Sequence, residues 1–380
     1  MLKGIRIQNF AILQDLCLGR DPELLREGRG RERELTPVTT LIGRNGTGKS
    51  AVFEAVSLLR DIQLYGLPFA SSGRRGGLAR LKTRSEGDDH APIRFQLIFE
   101  REEDRRLLYE LELALDEHNR PYIASESLNS YPVEGGGESY TLLDMKEGSG
   151  YLLSNHEKRE VSLLDSKQTA LSLYGRMLQY HELCWVYLRI AHWYNCRINS
   201  QLPPATSHEL GGHKHLNENC DNIKNVLRYI KNEDHERYEA MLKRIAAKIP
   251  DYQKLGDDFL DFDINTGNMK LFTLLLLLED PRPLICLDEP DNGLYHDMIE
   301  ALILEMRDYI YRNPESQIFL STHNTTLLSH LKPSEVWVME LKGERGPDIR
   351  RADEDPIVRE MYREGIDMGM LWYGGHLGIR

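Results

Sequence analysis

The spacing of apolar residues predicts strands towards both ends of the chain. Apolar and polar positions alternate over residues 4–10, and an apolar, β-branched run follows Pro37, so both stretches are typical of strands. Residues 93–100 and 106–115 predict an antiparallel pair joined by a charged turn. Short apolar runs later in the chain indicate three more buried strands, at 284–287, 317–321 and 335–340.

The pattern between these strand-rich regions is mainly helical. Residues 161–249 follow helical periodicity, most clearly at 222–230, whereas 131–150 are rich in Gly, Ser and Glu and predict a surface excursion. The sequence therefore predicts an α/β fold in three parts: an N-terminal lobe at 1–125, a mainly helical insertion or lid at 126–255 and a C-terminal lobe at 256–380.

Composition places the 380-residue chain among ordinary globular proteins, since 41% of its residues are hydrophobic and 28% are charged. The longest strongly apolar run, 271–278, is too short to span a bilayer. The first residues lack the apolar core of a signal peptide. The five cysteines form no CxxC pair and are too sparse for a disulfide framework. These features favour the reducing cytoplasm.

The net charge of −12 argues against a protein that is basic throughout and coats nucleic acid. It does not exclude a local basic groove. Residues 71–84 are Gly-rich, lack acidic residues and carry five basic ones: Arg74, Arg75, Arg80, Lys82 and Arg84. Two interpretations stay open, a solvated surface loop and a mobile loop that contacts nucleic-acid phosphates.

The strongest chemical motif occupies residues 43–50, between the predicted strand that ends at Ile42 and a predicted amphipathic helix. It fits the phosphate-loop pattern G-x-x-x-x-G-K-S through Gly43, Arg44, Asn45, Gly46, Thr47, Gly48, Lys49 and Ser50. The glycines allow backbone N–H groups to point at a triphosphate, and the helix adds its positive N-terminal end. We expect Lys49 to contact the β- and γ-phosphates of ATP and the Ser50 hydroxyl to bind Mg²⁺.

Two further strands end in residues that can complete this chemistry. The strand at 284–287 runs into Asp288 and Glu289, which can hold Mg²⁺ and activate a water for attack on the γ-phosphate. The strand at 317–321 leads to His323, whose imidazole can hold the γ-phosphate and the attacking water. The sequence thus assigns catalytic roles to Glu289, His323 and Lys49, and metal binding to Ser50 and Asp288.

Together these motifs resemble those of the ABC-type ATPases of the SMC/RecF/OLD-like group. The likeness rests on Gly-x-Asn-Gly-x-Gly-Lys-Ser, Leu-Asp-Glu-Pro-Asp-Asn-Gly-Leu and Ser-Thr-His-Asn, and on the opening Ile-Gln-Asn-Phe at 7–10. The tail at 369–378 is similar to that of stand-alone bacterial members described as predicted ATPases. The resemblance implies a P-loop NTPase fold with a mixed sheet and a helical insertion, ATP and Mg²⁺ as cofactors, and Asn9 among the nucleotide-binding residues.

The resemblance also implies a head-to-tail homodimer that encloses two ATP molecules, each bound by one chain's phosphate loop and the other chain's signature loop. We identify the signature loop at 264–270, where Asn265 replaces the expected Ser and Gly267 is the clear match. This departure predicts slow turnover. The D-loop carries Tyr-His at 295–296 where relatives often have His-Pro, and Gln96 and Gln168 are the candidates for the Q-loop glutamine.

Three functional hypotheses follow. The first is a switch ATPase that closes as a dimer to control an effector, such as a nuclease or toxin, or a nucleic-acid process, in phage defence or DNA repair. The second is an ATP-sensing scaffold that hydrolyses ATP very slowly. The third, a transporter subunit, is disfavoured by the opening at 7–10 and by the large insertion.

Two other clusters suggest alternative sites. The acidic residues at 257–263 are interpreted as part of an approach strand rather than as a nuclease centre, because they lie just before the predicted signature loop. The residues after Glu340 are too few for the nuclease domain that OLD-family proteins add. Several His and Cys residues have spacings compatible with Zn²⁺, although Cys is commonly a small buried hydrophobe. They are His181, Cys184, His192, Cys196, His213, His215 and Cys220.

Overall fold

The structure is a computed structural model that describes residues 1–83, 91–102, 104–133, 137–154, 157–198, 214–249, 266–343 and 346–378. The chain divides into two compact units, and each is described separately. The first unit comprises Met1–Trp193 and Ser334–Glu354, and the second comprises Tyr194–Pro333 and Asp355–Arg380. The three-part division, with boundaries at 125 and 255, stays a prediction.

The regular elements are numbered in chain order. The strands are β1 (Leu2–Phe10), β2 (Leu13–Gly19), β3 (Val38–Gly43), β4 (Ile93–Glu102), β5 (Arg105–Leu115), β6 (Pro121–Pro132), β7 (Tyr140–Lys146), β8 (Ser149–Ser154), β9 (Glu157–Ser162), β10 (Tyr194–Cys196), β11 (Leu284–Asp288), β12 (Gln317–Ser321), β13 (Val336–Leu341) and β14 (Pro347–Arg351). The helices are α1 (Pro22–Arg26), α2 (Lys49–Tyr65), α3 (Leu67–Ser71), α4 (Leu78–Leu81), α5 (Ala170–Tyr174), α6 (His181–Ala191), α7 (Ile223–Glu233), α8 (His235–Ala246), α9 (Thr266–Leu277), α10 (His296–Arg312), α11 (Thr325–Ser329), α12 (Pro356–Arg363) and α13 (Met368–Tyr373).

An antiparallel sheet in the first unit has the order β2-β1-β4-β5-β6-β7-β8-β9. Both faces of β5 are covered over part of its length, because Leu107, Tyr109 and Leu111 are buried on one face and Arg106 and Leu108 on the other. The surface excursion predicted at 131–150 is wrong, because its described residues contain β7 and the start of β8. The Gly, Ser and Glu residues concealed the alternation of Leu143 and Met145, which are both buried.

The first unit also contains the strand that leads into the phosphate loop. β3 pairs in parallel with β13, and β13 pairs antiparallel with β14, so this sheet is mixed as expected. All six residues of β3 are buried, which explains its continuous apolar and β-branched sequence. α2 follows the loop and buries a broad apolar face that includes Val52, Phe53 and Val56.

The second unit holds three parallel strands in the order β10-β11-β12. The run at 271–278 belongs mostly to α9, and its leucines are buried, so its uniform apolarity reflects a core helix. Within the described residues, no helix combines the length and apolarity needed to cross a membrane. The tail packs closely as well, because a Cβ at Gly369 of α13 would lie 2.3 Å from Thr325 O of α11.

Candidate functional site

The phosphate loop connects β3 to α2, and its shape depends on glycine at defined positions. Gly46 and Gly48 have φ angles of 82° and 99°, which side chains other than glycine rarely adopt. A Cβ at Gly43 would lie 2.4 Å from Met339 O, and one at Gly48 would lie 2.9 Å from Leu13 Cδ2. These glycines are therefore required by the fold as well as by the motif.

Lys49 lies over the loop as the first residue of α2. Its Nζ donates to Gly43 O at 2.7 Å and to Arg44 O at 3.1 Å, while Thr47 Oγ1 donates to Arg44 O at 2.8 Å. The side chain of Lys49 is buried, whereas Arg44, Asn45 and Ser50 are exposed. Because Gly48 has no side chain to cap the helix and the first turn contains no acidic residue, the loop and helix end form a positive cradle suited to phosphate.

Two buried polar networks support α2. Arg75 donates to Glu54 at 2.5 Å and to Asp61 at 2.7 Å, so this arginine belongs to a buried ion-pair network on α2. It is therefore not part of a solvated loop and is not available to nucleic acid, whereas Arg84 lies outside the described residues. In the second network, Gln63 of α2 donates to Tyr109 Oη at 3.2 Å.

The second network closes on Glu126, a fully buried carboxyl group of β6. Tyr109 Oη donates to it at 2.9 Å, and the N–H groups of Ala170 and Leu171 donate at 2.6 and 3.0 Å. Burial raises the pKa of Glu126 to about 7, although hydrogen bonds from Leu171, Tyr109 and Ala170 act in the opposite direction. Thr169 completes the network by donating to Gln63 Oε1 at 2.8 Å, which links α2 to the start of α5.

The acidic residues lie at the end of β11 in the second unit. The parallel register places Asp288 beside Ser321 of β12, and Ser321 Oγ donates to Asp288 Oδ1 at 2.5 Å. The same hydroxyl accepts from Glu289 N at 3.0 Å, and Glu289 has a φ of 48°. Ser321 therefore fixes both the metal-ligand candidate and the backbone that presents the candidate base.

His323 and Glu289 are brought together as the sequence anticipated. Their Nε2 and Oε1 atoms are 3.5 Å apart, and both side chains are about one-third to two-fifths exposed. No water fits directly between atoms at this separation, but a water beside the pair can contact both side chains and give its proton to the carboxylate. The carboxylate oxygens of Asp288 and the hydroxyl oxygen of Ser50 are hard ligands of the kind that Mg²⁺ prefers.

Lys270 is a site residue that the sequence analysis did not single out. It is buried on α9, and its Nζ donates to Asn292 O at 2.7 Å and to Glu289 O at 3.2 Å. Burial lowers its pKa, while the nearby Asp291, Cys196 and Glu289 act to raise it. The sequence did contain a signal for this role, because a single lysine adjoins the apolar run 271–278. A buried ammonium group there needs hydrogen-bond acceptors.

The other expected site residues occupy varied positions. Gly267 is buried in the first turn of α9, and Asn265 lies outside the described residues. Asn9 has a φ of 58°, and its Nδ2 donates to Pro92 O at 2.9 Å, so its amide ties the end of β1 to the residue before β4. Gln96 donates to Glu110 at 2.6 Å. Among the described residues, no group of three or more His, Cys, Asp or Glu side chains is arranged to hold a metal ion, and His213 lies outside them.

A family model described as "AAA domain, putative AbiEii toxin, Type IV TA system" matches residues 38–147 and 266–329. These two segments contain the phosphate loop, Gly267, the acidic strand end and His323. No curated protein matches the chain in sequence.

Among solved structures, this chain is similar to an SMC head bound to the C-terminal winged-helix domain of ScpA. The similarity covers 92% of this chain and 96% of the SMC head, with 11% identity and a TM-score of 0.51. The SMC head of Thermotoga maritima is 13% identical over 92% of this chain and 98% of its own, with a TM-score of 0.43. The likeness to the ScpA-bound SMC head confirms the expected fold class, an α/β P-loop fold of the kind found in SMC heads.

Proposed function

We propose that this chain binds and hydrolyses MgATP, and that nucleotide binding closes it into a head-to-tail homodimer. The single observation that carries the proposal is the cradle at residues 43–48, where Gly43 and Gly48 leave no room for a Cβ and a buried Lys49 lies at an uncapped helix end. This arrangement has a positive charge and backbone donors, and it is the chemistry that recognises a triphosphate.

Each remaining residue has a role that follows from its own surroundings. Lys49 transfers its hydrogen bonds from the loop carbonyls to phosphate oxygens, and Ser50 and Asp288 serve as ligands of Mg²⁺. Bound Mg²⁺ neutralises charge on the phosphates. Glu289 accepts a proton from the attacking water, and His323 orients that water. Ser321 holds Asp288 and the backbone of Glu289 in place, so that hydrolysis depends on a residue outside the motif.

The closed dimer is proposed to control a separate effector or a nucleic-acid process in the cytoplasm. The family description names a toxin of a type IV toxin–antitoxin system, which supports an effector or defence role, and the SMC head bound to ScpA is an example of a head that binds a partner. The second candidate is an ATP-sensing scaffold with very slow hydrolysis. The replacement of the expected signature Ser by Asn265 favours this candidate.

The shared-site model is tested by mixing two inactive variants, Gly267→Asp and Lys49→Ala. The aspartate adds negative charge beside the expected γ-phosphate, while Lys49→Ala damages the other half of a shared site. A heterodimer then has one doubly damaged site and one intact site. Random mixing should restore at most about one quarter of wild-type phosphate release, because half of the dimers are heterodimers with one intact site each.

A control is needed because Gly267 is buried, so Gly267→Asp can also disturb α9. Asn268→Asp, at a half-buried position one residue further along α9, adds the same charge without replacing the buried glycine. ATP binding by each monomeric variant checks that the variant is folded. Full ATPase activity and ATP-dependent dimerisation in both Gly267→Asp and Asn268→Asp would overturn the shared site. A wild-type dimer that binds ATP and releases no phosphate would support the scaffold instead.

A further inference from the structure

Two cysteines that are distant in sequence meet in the second unit. Cys196 is the last residue of β10, Cys220 precedes α7, and their Sγ atoms are 3.6 Å apart. The side chains are only 4% and 3% exposed, so any reagent that reaches the pair must be small. We refer to Cys196 and Cys220 as the thiol pair.

The backbone holds the thiol pair in position. Cys220 has a φ of 56°, a conformation that cysteine rarely adopts, and its N–H donates to Asn217 O at 2.9 Å. Tyr194 Oη donates to the same carbonyl at 2.6 Å and lies 3.3 Å from Cys220 Sγ. A strained residue that is fixed by two neighbours keeps its sulfur directed at Cys196.

The two thiols differ chemically. The hydrogen bond between them lowers the pKa of Cys220 and raises that of Cys196, and burial also raises the pKa of Cys196. Cys220 therefore has the larger thiolate fraction of the two, and Cys196 keeps its proton. A disulfide requires the sulfurs to approach to about 2.0 Å, which is a short movement from their present separation.

We propose that the thiol pair is a reversible oxidation site, at which a small hydroperoxide converts Cys196 and Cys220 into a disulfide. Cys220 sulfur attacks one peroxide oxygen, so that an S–O bond forms, the O–O bond breaks and the remaining oxygen leaves as an alcohol or water with a proton. Cys196 sulfur then attacks Cys220 sulfur, so that the S–S bond forms, the S–O bond breaks and water leaves with the Cys196 proton. Two thiols lose two electrons and the hydroperoxide gains them.

The position of the thiol pair connects it to the acidic strand end. Cys196 lies opposite Leu287 in the parallel register, one residue before Asp288. It is also close enough to Lys270 for the two groups to interact electrostatically, and Lys270 binds the carbonyls of Glu289 and Asn292. We infer that disulfide formation shifts Lys270 and slows ATP turnover, an inference that rests on the proposed function.

The site itself is tested on the full wild-type chain without measuring activity. The chain is treated with hydrogen peroxide, alkylated and digested, and its peptides are mapped by mass spectrometry before and after dithiothreitol. The expected product is a Cys196–Cys220 crosslinked peptide that dithiothreitol separates. Cys220→Ser should remove the crosslink, whereas Cys184→Ser, at a half-buried cysteine outside the pair, should leave it unchanged.

Three results would overturn the oxidation site. They are sulfinic or sulfonic acid at either cysteine without a crosslink, a disulfide that pairs other cysteines, and stoichiometric Zn²⁺ that is lost on Cys220→Ser. Because the mapping uses the wild-type chain, poor folding of a variant does not prevent the test.

The effect on function is measured as the ratio of phosphate release before and after peroxide treatment. A reversible decrease of at least severalfold is expected in the wild type and in Cys184→Ser, and none is expected in Cys220→Ser. A crosslink with unchanged turnover would contradict the link through Lys270. A crosslink in a chain that hydrolyses no ATP would refute the ATPase and leave the oxidation site standing.

Discussion

The phosphate loop and the acidic strand end are built by different means. The loop is shaped by its backbone, because Gly43 and Gly48 lie where a Cβ would collide with neighbouring atoms, and Lys49 rests on carbonyls of the same loop. At the strand end, Asp288 and Glu289 depend on hydrogen bonds from Ser321 and Lys270, which lie on other elements.

A sequence motif can therefore reveal the phosphate loop completely but the acidic strand end only in part. A backbone cradle needs a fixed local order of glycines, so the complete loop is visible in one stretch of sequence. Groups that position a base come from separate elements, and nothing in the motif names them. We therefore expect the loop to determine nucleotide affinity and the strand end to determine the rate, and the following variants test that separation.

The largest expected effect is on hydrolysis in Glu289→Gln. The amide keeps the shape of the side chain but cannot accept the proton of the attacking water, so phosphate release should fall by about 10²–10⁴-fold. ATP binding should persist, and the ATP-bound dimer should accumulate in light scattering. The conservative variant Glu279→Gln, whose carboxylate pairs with Arg244 on another part of the second unit, is the control. Wild-type turnover in Glu289→Gln would exclude Glu289 as the base.

The next effect is on affinity in Lys49→Ala. Loss of a charge-assisted contact to phosphate should weaken MgATP binding by about 1.5–3 kcal/mol or more, measured by calorimetry. Lys243→Ala, at an exposed position on α8, should bind as the wild type does. Unchanged affinity in Lys49→Ala would show that Lys49 and the phosphate loop do not bind the triphosphate.

A third prediction concerns the network that supports α2. The pKa of Glu126 is about 7 in the folded chain and near its ordinary value of 4.5 when unfolded, so the folded state binds the proton more tightly. Its contribution to stability is therefore full below about pH 4.5 and is lost as the pH rises through 7. This group should reduce the free energy of unfolding by about 1–3 kcal/mol between pH 5 and 8.

Denaturant unfolding of the wild type and Glu126→Gln at several pH values measures that contribution as the difference between the two profiles. Glu160→Gln, at an exposed carboxyl on β9, should follow the wild type. If Glu126→Gln and the wild type have parallel profiles, Glu126 does not titrate in this range.

The smallest effect is expected for Ser321→Ala. Loss of the hydrogen bonds to Asp288 and from Glu289 should reduce kcat by about tenfold, equivalent to about 1–2 kcal/mol, and leave the KM for ATP nearly unchanged. Ser329→Ala, whose hydroxyl binds Asp367 in the tail, is the matched control. A rise in KM with unchanged kcat would indicate that Ser321 acts in nucleotide binding and would blur the distinction between the two regions.

Much of the fold was accessible from sequence because periodicity reports burial. The seven strands predicted by alternation or by apolar runs correspond to β1, β3, β4, β5, β11, β12 and β13. The sheet extension through β7 and β8 was missed because the Gly, Ser and Glu residues at 131–150 surround the short apolar stretches of these strands. Local pattern cannot show that such strands gain their partners from an existing sheet edge.

The candidate site could likewise be predicted from the sequence only in part. The phosphate loop, Asp288, Glu289 and His323 follow from local motifs, whereas Ser321 and Lys270 act through contacts that only the fold creates. The thiol pair was singled out by its residue types, but its sequence spacing suggested zinc. The 3.6 Å contact between Cys196 and Cys220 depends on where β10 ends, which no spacing rule contains.

The most direct test of the account is a single-turnover reaction that follows bound ATP and released phosphate together, in the wild type, Lys49→Ala and Glu289→Gln. We predict that the wild type binds and releases, Lys49→Ala does neither, and Glu289→Gln retains ATP without releasing phosphate. Loss of ATP binding in a folded Glu289→Gln variant, or phosphate release by Lys49→Ala at the wild-type rate, would contradict the separation of binding and catalysis between the two regions.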